Sequence, residues 1–553
     1  MLPRSLAAAA LLAAAMSSAL RAQSPAQSPA QSPAQSPAQS PARSAPEAAT
    51  TNGRVRGLTL ASGVRRFAGI PFAAPPVGLL RWKPPQPAAA WSGGRAAVRF
   101  ADQCMQARPF SDMVFRNQGT SEDCLYLNLW TTSPTTSQRM PVLVYFFGGG
   151  FIAGDGSEPR YDGEAIARRG VVVVTLSYRL GIFGFFSHPE LARESAKHAS
   201  GNYGLMDQTA ARRWVRANIA AFGGDPKRVT IAGESAGSFS VSAQMASPAA
   251  QGLFTGAIGE SGAMLDGPLS VRRAAMTETD GATFGSAIGA PTVAKLRALS
   301  AHELLAAMRR DGGPQFGPNI DGEFLAESPN ITYAQGRQAQ VPLLAGWNSE
   351  EMRGQYLVPE LTPAGFDDAL QKTFGTRAAE ARTVYAGTTA AEIAQAATDL
   401  ASDQWIAYGT WKWLEAQSRV APVYRYYFVQ GRPPLTIPEK PVSGATAASP
   451  KPWDAIPRGA PHSTEIEYAL GNLGGNPVYA WTGDDQKVSA ITMAYFVNFI
   501  TTGNPNGTAL PTWPSGKPNA SGNVQRMRLG VASQAEAEPR ARYLFLQGPV
   551  ERH

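Results

Sequence analysis

The stretch from Arg228 to Met245 does most to limit the architecture of this chain: an apolar run breaks into Gly233-Glu234-Ser235-Ala236-Gly237 and resumes with helical character. Arg228 to Ala232 reads as a buried strand and Ser238 to Met245 as a helix. Glycines two residues to either side of a serine let strand and helix approach closely and hold that serine in a costly backbone conformation. Its hydroxyl then stands at the edge of a sheet, above the amide groups and positive dipole end of a helix. A G-x-S-x-G turn carries meaning only in such a strand-turn-helix setting.

The neighbouring segments extend the same pattern. Val142 to Phe146 is an apolar run followed closely by three glycines, and Val171 to Leu176 is another, as expected of strands buried on both faces. Between them and the serine, Asp207 to Phe222 reads as a helix, with Ala211, Val215 and Ile219 four apart, Trp214 beside them and Gly223-Gly224 as a stop. Strand, helix, strand in succession implies right-handed crossovers and an α/β fold: a large, mostly parallel central sheet flanked by helices. With 44% hydrophobic and 17% charged residues the chain can bury such a core. No second linker or long repeat interrupts it, so residues 51–553 are expected to form one domain.

The serine needs partners. Phe147-Gly148-Gly149-Gly150-Phe151 follows the first strand, and consecutive glycines leave backbone N–H groups open to a developing oxyanion. Gly149, Gly150 and Ala236 are the expected donors. In the α/β-hydrolase order, the acid follows the nucleophile and the histidine follows the acid. Of five histidines, His188 and His198 precede Ser235, His302 lies in the helical-looking Ala301 to Arg309, and His553 is terminal. His462 remains, in the loop Gly459-Ala460-Pro461-His462. Spacing leaves the acid open among Asp321, Glu323, Glu350 and Glu351.

Residues 1–22 read as a secretory signal, with Arg4 ahead of an Ala/Leu-rich run that is short for a membrane span. Five Gln-Ser-Pro-Ala repeats cover Gln23 to Ala42, so 23–50 is expected to be a disordered linker. The protein is therefore expected to be exported, periplasmic or secreted, with no membrane span in the mature chain. In that setting Cys104 and Cys124, the two cysteines, form a natural disulfide pair. The formal charge of +8 is mild for 553 residues and no Lys/Arg run is interleaved with aromatics, so nucleic acid is not an expected partner.

The chain from about Gly53 onward resembles the type-B carboxylesterase family, which includes bacterial esterases, cholinesterases and non-catalytic adhesion proteins. The resemblance rests on Phe67-Ala68-Gly69-Ile70-Pro71, Pro75-Pro76-Val77-Gly78, Glu122-Asp123-Cys124-Leu125-Tyr126-Leu127-Asn128, Asn202-Tyr203-Gly204-Leu205-Met206-Asp207-Gln208 and the elbow itself. It implies the α/β-hydrolase fold and selects Glu351, in Gly346-Trp347-Asn348-Ser349-Glu350-Glu351, as the acid of a Ser235–Glu351–His462 triad. It also implies that Cys104 and Cys124 match the family's first disulfide, and that Ser261 supports the acid. The implied activity is cofactor-free hydrolysis of small-molecule carboxylic esters, with an amide or carbamate hydrolase or a non-catalytic binding protein as alternatives. Two departures stand out. Phe147 replaces a histidine common before the three glycines, removing that side chain's hydrogen bond from the loop. Between the cysteines only Phe110 and Phe115 stand where cholinesterases keep a tryptophan, so a choline ester is not expected. An ordinary imidazole would set activity rising with pH through about 6 to 7.

Overall fold

The computed structural model describes residues 45–266, 271–309, 314–436, 452–518 and 522–548. The signal reading of 1–22 and the repeats of 23–42 lie outside them. The predicted linker ends sooner than residue 50. Glu47–Thr50 is a strand paired antiparallel with Gly53–Arg56, and Ala48 is buried. Asn218 and the Ala88 carbonyl pin the Thr51-Asn52 turn between them, so tertiary contacts order a segment with little strand character of its own.

Among the described residues the central sheet has eleven strands. In chain order they are β1 (Leu58–Thr59), β2 (Arg65–Pro71), β3 (Tyr126–Thr131), β4 (Met140–Phe146), β5 (Val172–Leu176), β6 (Gly224–Glu234), β7 (Gly256–Glu260), β8 (Leu343–Asn348), β9 (Val423–Phe428), β10 (Gln525–Leu529) and β11 (Gln534–Ala537). Their spatial order is β11-β10-β9-β8-β7-β6-β4-β5-β3-β2-β1. All neighbours from β5 through β4, β6, β7, β8 and β9 to β10 are parallel, and both margins are antiparallel. Every residue of β4, β5, β7 and β8 is buried, which explains why they read as continuous apolar runs rather than alternating ones.

Five helices matter for the site: α1 (Tyr203–Asn218), α2 (Ala236–Ala246), α3 (Ala390–Ser402), α4 (Tyr408–Gln417) and α5 (Glu465–Leu470). Helix α1 starts ahead of the predicted Asp207, entered through Asn202 at φ +50°, and its tail Ile219–Phe222 tightens to a 3₁₀ turn before Gly223. Helix α2 is buried on every side, and its polar side chains are satisfied internally: Ser238 donates to the Gly262 carbonyl at 2.5 Å and Gln208 donates to Ser240 at 2.9 Å.

One large hydrophobic cluster surrounds the sheet, and a smaller one packs Phe366, Leu370, Ile393 and Leu400 with Trp453 and Phe545. Cys104 and Cys124 are bonded, closing a loop worth about 3 kcal/mol in the chain-entropy account. That loop is latched by Arg116 to Asp162 at 2.5 Å and by Arg160 to Asp112 at 3.1 Å. No described helix is long and apolar enough to cross a membrane.

Candidate active site

Four parallel strands end in register and each delivers one part of the site. Phe146 ends β4 opposite Gly233 of β6, Glu234 faces Glu260 of β7, and Glu260 faces Gly346 of β8. The glycine loop follows β4, Ser235 follows β6, Ser261 follows β7 and Glu351 follows β8.

Ser235 adopts φ +53° and ψ −123°, a conformation costly for a residue with a Cβ. Its amide donates to the Glu260 carbonyl at 2.8 Å, and its carbonyl accepts from Phe239 at 2.9 Å as α2 begins. The flanking glycines are required by close approach. A Cβ on Gly233 would sit 2.6 Å from the Phe146 carbonyl oxygen and from the Gly237 carbonyl carbon, and one on Gly237 would overlap the same Phe146 carbonyl.

The glycine loop passes directly over this elbow: a Cβ on Gly148 would lie 2.5 Å from the Glu234 carboxylate and 3.1 Å from the Ser235 Cβ. Gly149 and Gly150 take φ +111° and +64°. Among the described residues the amides of Gly149, Gly150 and Ala236 donate to no other protein group, so all three remain open to a ligand oxygen. The loop is held without the missing histidine. Phe147 is buried and stacks on Tyr178 at 4.2 Å between centroids, while the Tyr178 hydroxyl donates to the Phe147 carbonyl at 2.8 Å.

His462 reaches the same place from the other side. The acid loop and the histidine loop are joined by a bridge between Glu350 and Pro461, with Ala460 donating to Ser349 at 2.9 Å and Gly459 to Glu350 at 2.9 Å. Nδ1 of His462 lies 2.6 Å from Glu351 Oε2. The other oxygen of the fully buried Glu351 carboxylate accepts from Ser261 Oγ at 2.6 Å and from the Asn348 amide at 2.6 Å. The other candidates are engaged elsewhere: Asp321 accepts amides within its own turn, Glu350 pairs with Arg353 and Arg458, and His188 caps a short helix.

Three further carboxyl groups crowd this pair. Ser261 also lies 2.9 Å from Glu465 Oε1, and one hydroxyl proton cannot serve two carboxylates at once. Burial first, then the charge of Glu351, pushes Glu465 up to about 7, so Glu465 holds its own proton in mild acid. Glu260, which accepts from Tyr145 at 3.0 Å, is raised well above its ordinary value by burial and by Glu465. Glu234, the residue before the serine, places Oε1 3.2 Å from His462 Nε2, and burial pushes it up to about 8 despite the opposing pull of His462. Burial alone would lower the imidazole, yet Glu234 and Glu351 together raise it to about 9.

In this arrangement Nε2 faces Glu234, and no hydrogen bond joins it to Ser235 Oγ. Trp405 packs against the imidazole at 4.6 Å between centroids. Neither Glu234, Glu465 nor Trp405 stood out in the sequence. Glu234 occupies a variable position of the elbow motif, and Glu465 three residues beyond His462 is the one signal a search for paired acids would catch. A cavity of about 370 Å³ also opens behind the acid loop, lined by Glu350, Arg353 and Arg528, but neither Ser235 nor His462 borders it.

A large, mostly parallel sheet carrying a strained serine between a central strand and a buried helix defines an α/β-hydrolase. The chain belongs to the carboxylesterase family, whose model matches residues 44–543. It is 35% identical over 490 residues to the fumonisin B1 esterase of Sphingopyxis macrogoltabida, an overlap of 84% of this chain and 83% of that protein. Against the para-nitrobenzyl esterase of Bacillus subtilis it is 35% identical over 480 residues, 84% of this chain and 91% of the relative. Among solved structures, a PNB esterase matches with a TM-score of 0.74 at 33% identity over 91% of this chain and 99% of its own. A Geobacillus stearothermophilus carboxylesterase matches with 0.73 at 31%, covering 90% and 99%.

Proposed function

We propose that the protein hydrolyses carboxylic esters through an acyl-enzyme formed on Ser235, with His462 as base and Glu351 as the acid that orients it. The observation that carries this reading is the 2.6 Å contact between His462 Nδ1 and Glu351, which leaves Nε2 on the side of the elbow. The ring first turns from Glu234 to the serine. Ser235 Oγ then attacks the carbonyl carbon as its proton passes to Nε2, and the amides of Gly149, Gly150 and Ala236 receive the oxyanion. Collapse breaks the bond to the alcohol oxygen, which takes the proton from Nε2. Water, deprotonated by the same nitrogen, attacks the acyl-serine; the bond to Ser235 Oγ breaks as Nε2 returns the proton to that oxygen, and the acid is released. Glu351 stays ionised throughout.

The alcohol is expected to be uncharged. Phe110 and Phe115 replace the cation-binding tryptophan of cholinesterases, and Arg108 already lies over the Phe115 ring at 5.5 Å. The three consecutive glycines resemble those of relatives that accept bulky, even tertiary, alcohol esters. Export remains part of the reading, supported by the signal-like residues 1–22 and the Cys104–Cys124 bond.

Turnover of a chromogenic short-chain ester is the test. Ser235→Ala should lose at least about a thousandfold in kcat, and an organophosphate should inactivate the wild type irreversibly. Undiminished turnover by Ser235→Ala would sink the assignment. A matched amide and carbamate series measures whether the same site also cleaves those bonds.

A further inference from the structure

We propose that Trp405 is the platform on which the alcohol part of the substrate rests, and that it gives this enzyme a preference for esters of aromatic alcohols. The inference rests on the triad reading above, because the proton that His462 delivers goes to the alcohol oxygen. A side chain packed beside the imidazole is therefore within reach of the departing alcohol.

Trp405 lies there by virtue of an irregularity in the backbone. Helices α3 and α4 form one long helical run joined by a single π-helical turn, Asp403–Ala407. A π turn inserts one residue into the 3.6-residue period and rotates the faces that follow it; such turns concentrate at functional sites. Here it leaves Trp405 half-buried against His462 at 4.6 Å, with the planes inclined at 59°, while Ile406 and Ala407 enter the core.

Both ends of the turn are anchored. The buried Asp403 carboxylate accepts from Tyr385 at 3.0 Å and pairs with Arg542 Nε at 3.0 Å. Ser402 accepts from the Met352 amide at 3.2 Å and donates back to its carbonyl, and Met352 directly follows Glu351. The indole is thus tied to the acid loop that orients the histidine. A rigid, half-buried aromatic side chain offers a stacking partner for a flat apolar alcohol, and offers a small aliphatic one little.

The acyl-enzyme route supplies a discriminating experiment. Phenyl, naphthyl and ethyl butyrate all give the same butyryl-Ser235, so the alcohol is felt in acylation and is gone before deacylation. Trp405→Ala should lower kcat/KM for phenyl and naphthyl butyrate about tenfold, through KM, while ethyl butyrate changes less than about twofold. Trp405→Phe should restore most of the loss. Deacylation, followed in a burst experiment, should keep its wild-type rate and pH profile. Active sites titrated with a fluorophosphonate keep misfolded protein out of the comparison. An equal loss on all three esters, a slowed deacylation, or no change on any of them would overturn the platform and leave Trp405 as packing for His462. Failure of the triad reading itself has a separate signature, full turnover by Ser235→Ala.

Discussion

A histidine taken into a protein interior without partners titrates below its ordinary range, because a low dielectric penalises the charged ring. His462 moves the opposite way, to about 9, since Glu234 and Glu351 hold a carboxyl against each of its nitrogens. In the proposed mechanism the neutral ring accepts the Ser235 proton, so activity is expected to rise with pH through about 9 instead of through the 6 to 7 that the sequence alone suggests. Glu234→Gln keeps the shape and removes the carboxylate. Its kcat/KM profile should move to lower pH, toward the ordinary imidazole value of about 6.5, and its plateau should fall because the imidazolium formed during attack loses a counter-charge. An unmoved profile would clear Glu234 of any part in setting the base. The roles proposed for Ser235 and His462 are readable from motif and chain order, since each has few rivals. Those of Glu234, Glu465 and Trp405 are not, because an isolated carboxylate or tryptophan in a string of letters has no partner, and all three owe their importance to what the folded backbone sets beside them.

Elements that carry a strong local period are legible in the same way, and elements made by tertiary contact are not. The buried strands β4 and β5 and the helix after the serine appear in the sequence as apolar runs and periodic faces, with boundaries displaced by a few residues. The short antiparallel margin β1 has two residues and no period to detect. Glu47–Thr50 was hidden by its nearness to the Gln-Ser-Pro-Ala repeats, and the π turn by the absence of any letter that encodes it. The elbow belongs to the legible kind, and its glycines act on the element as a whole. A Cβ on Gly237 would overlap the Phe146 carbonyl, so Gly237→Ala must push α2 away from β4. The expected outcome is a loss of about 1 to 3 kcal/mol, read as a lower urea midpoint at unchanged slope, with activity falling further than stability because the Ala236 amide moves with the helix. Gly252→Ala is the control, since a Cβ there meets nothing within 4 Å, although its positive φ still carries a smaller strain.

Across the whole molecule the buried carboxyl groups are expected to make stability and activity run in opposite directions with pH. Counting letters yields +8 on the assumption that every acid is ionised, but burial raises Glu158, Asp403 and Glu465 to about 7 and Glu234 to about 8. Each has a folded value above its unfolded one, so the folded state binds more protons than the unfolded chain from about pH 4.5 upward, and the stabilisation is lost as pH rises through 7 to 8. His462 has the same sign: its contribution is complete below about 6.5 and is lost through about 9. The melting temperature should therefore be highest in mild acid and fall on the order of 5 °C between pH 5 and pH 9, over the range in which hydrolysis accelerates. Scanning calorimetry at fixed ionic strength measures this directly, and a melting temperature that holds level or climbs would contradict it. Glu234→Gln assigns part of the effect to the site. With that carboxyl unable to ionise, the decline between about pH 4.5 and pH 8 should become shallower, because a group that keeps the same protonation in both states drops out of the linkage.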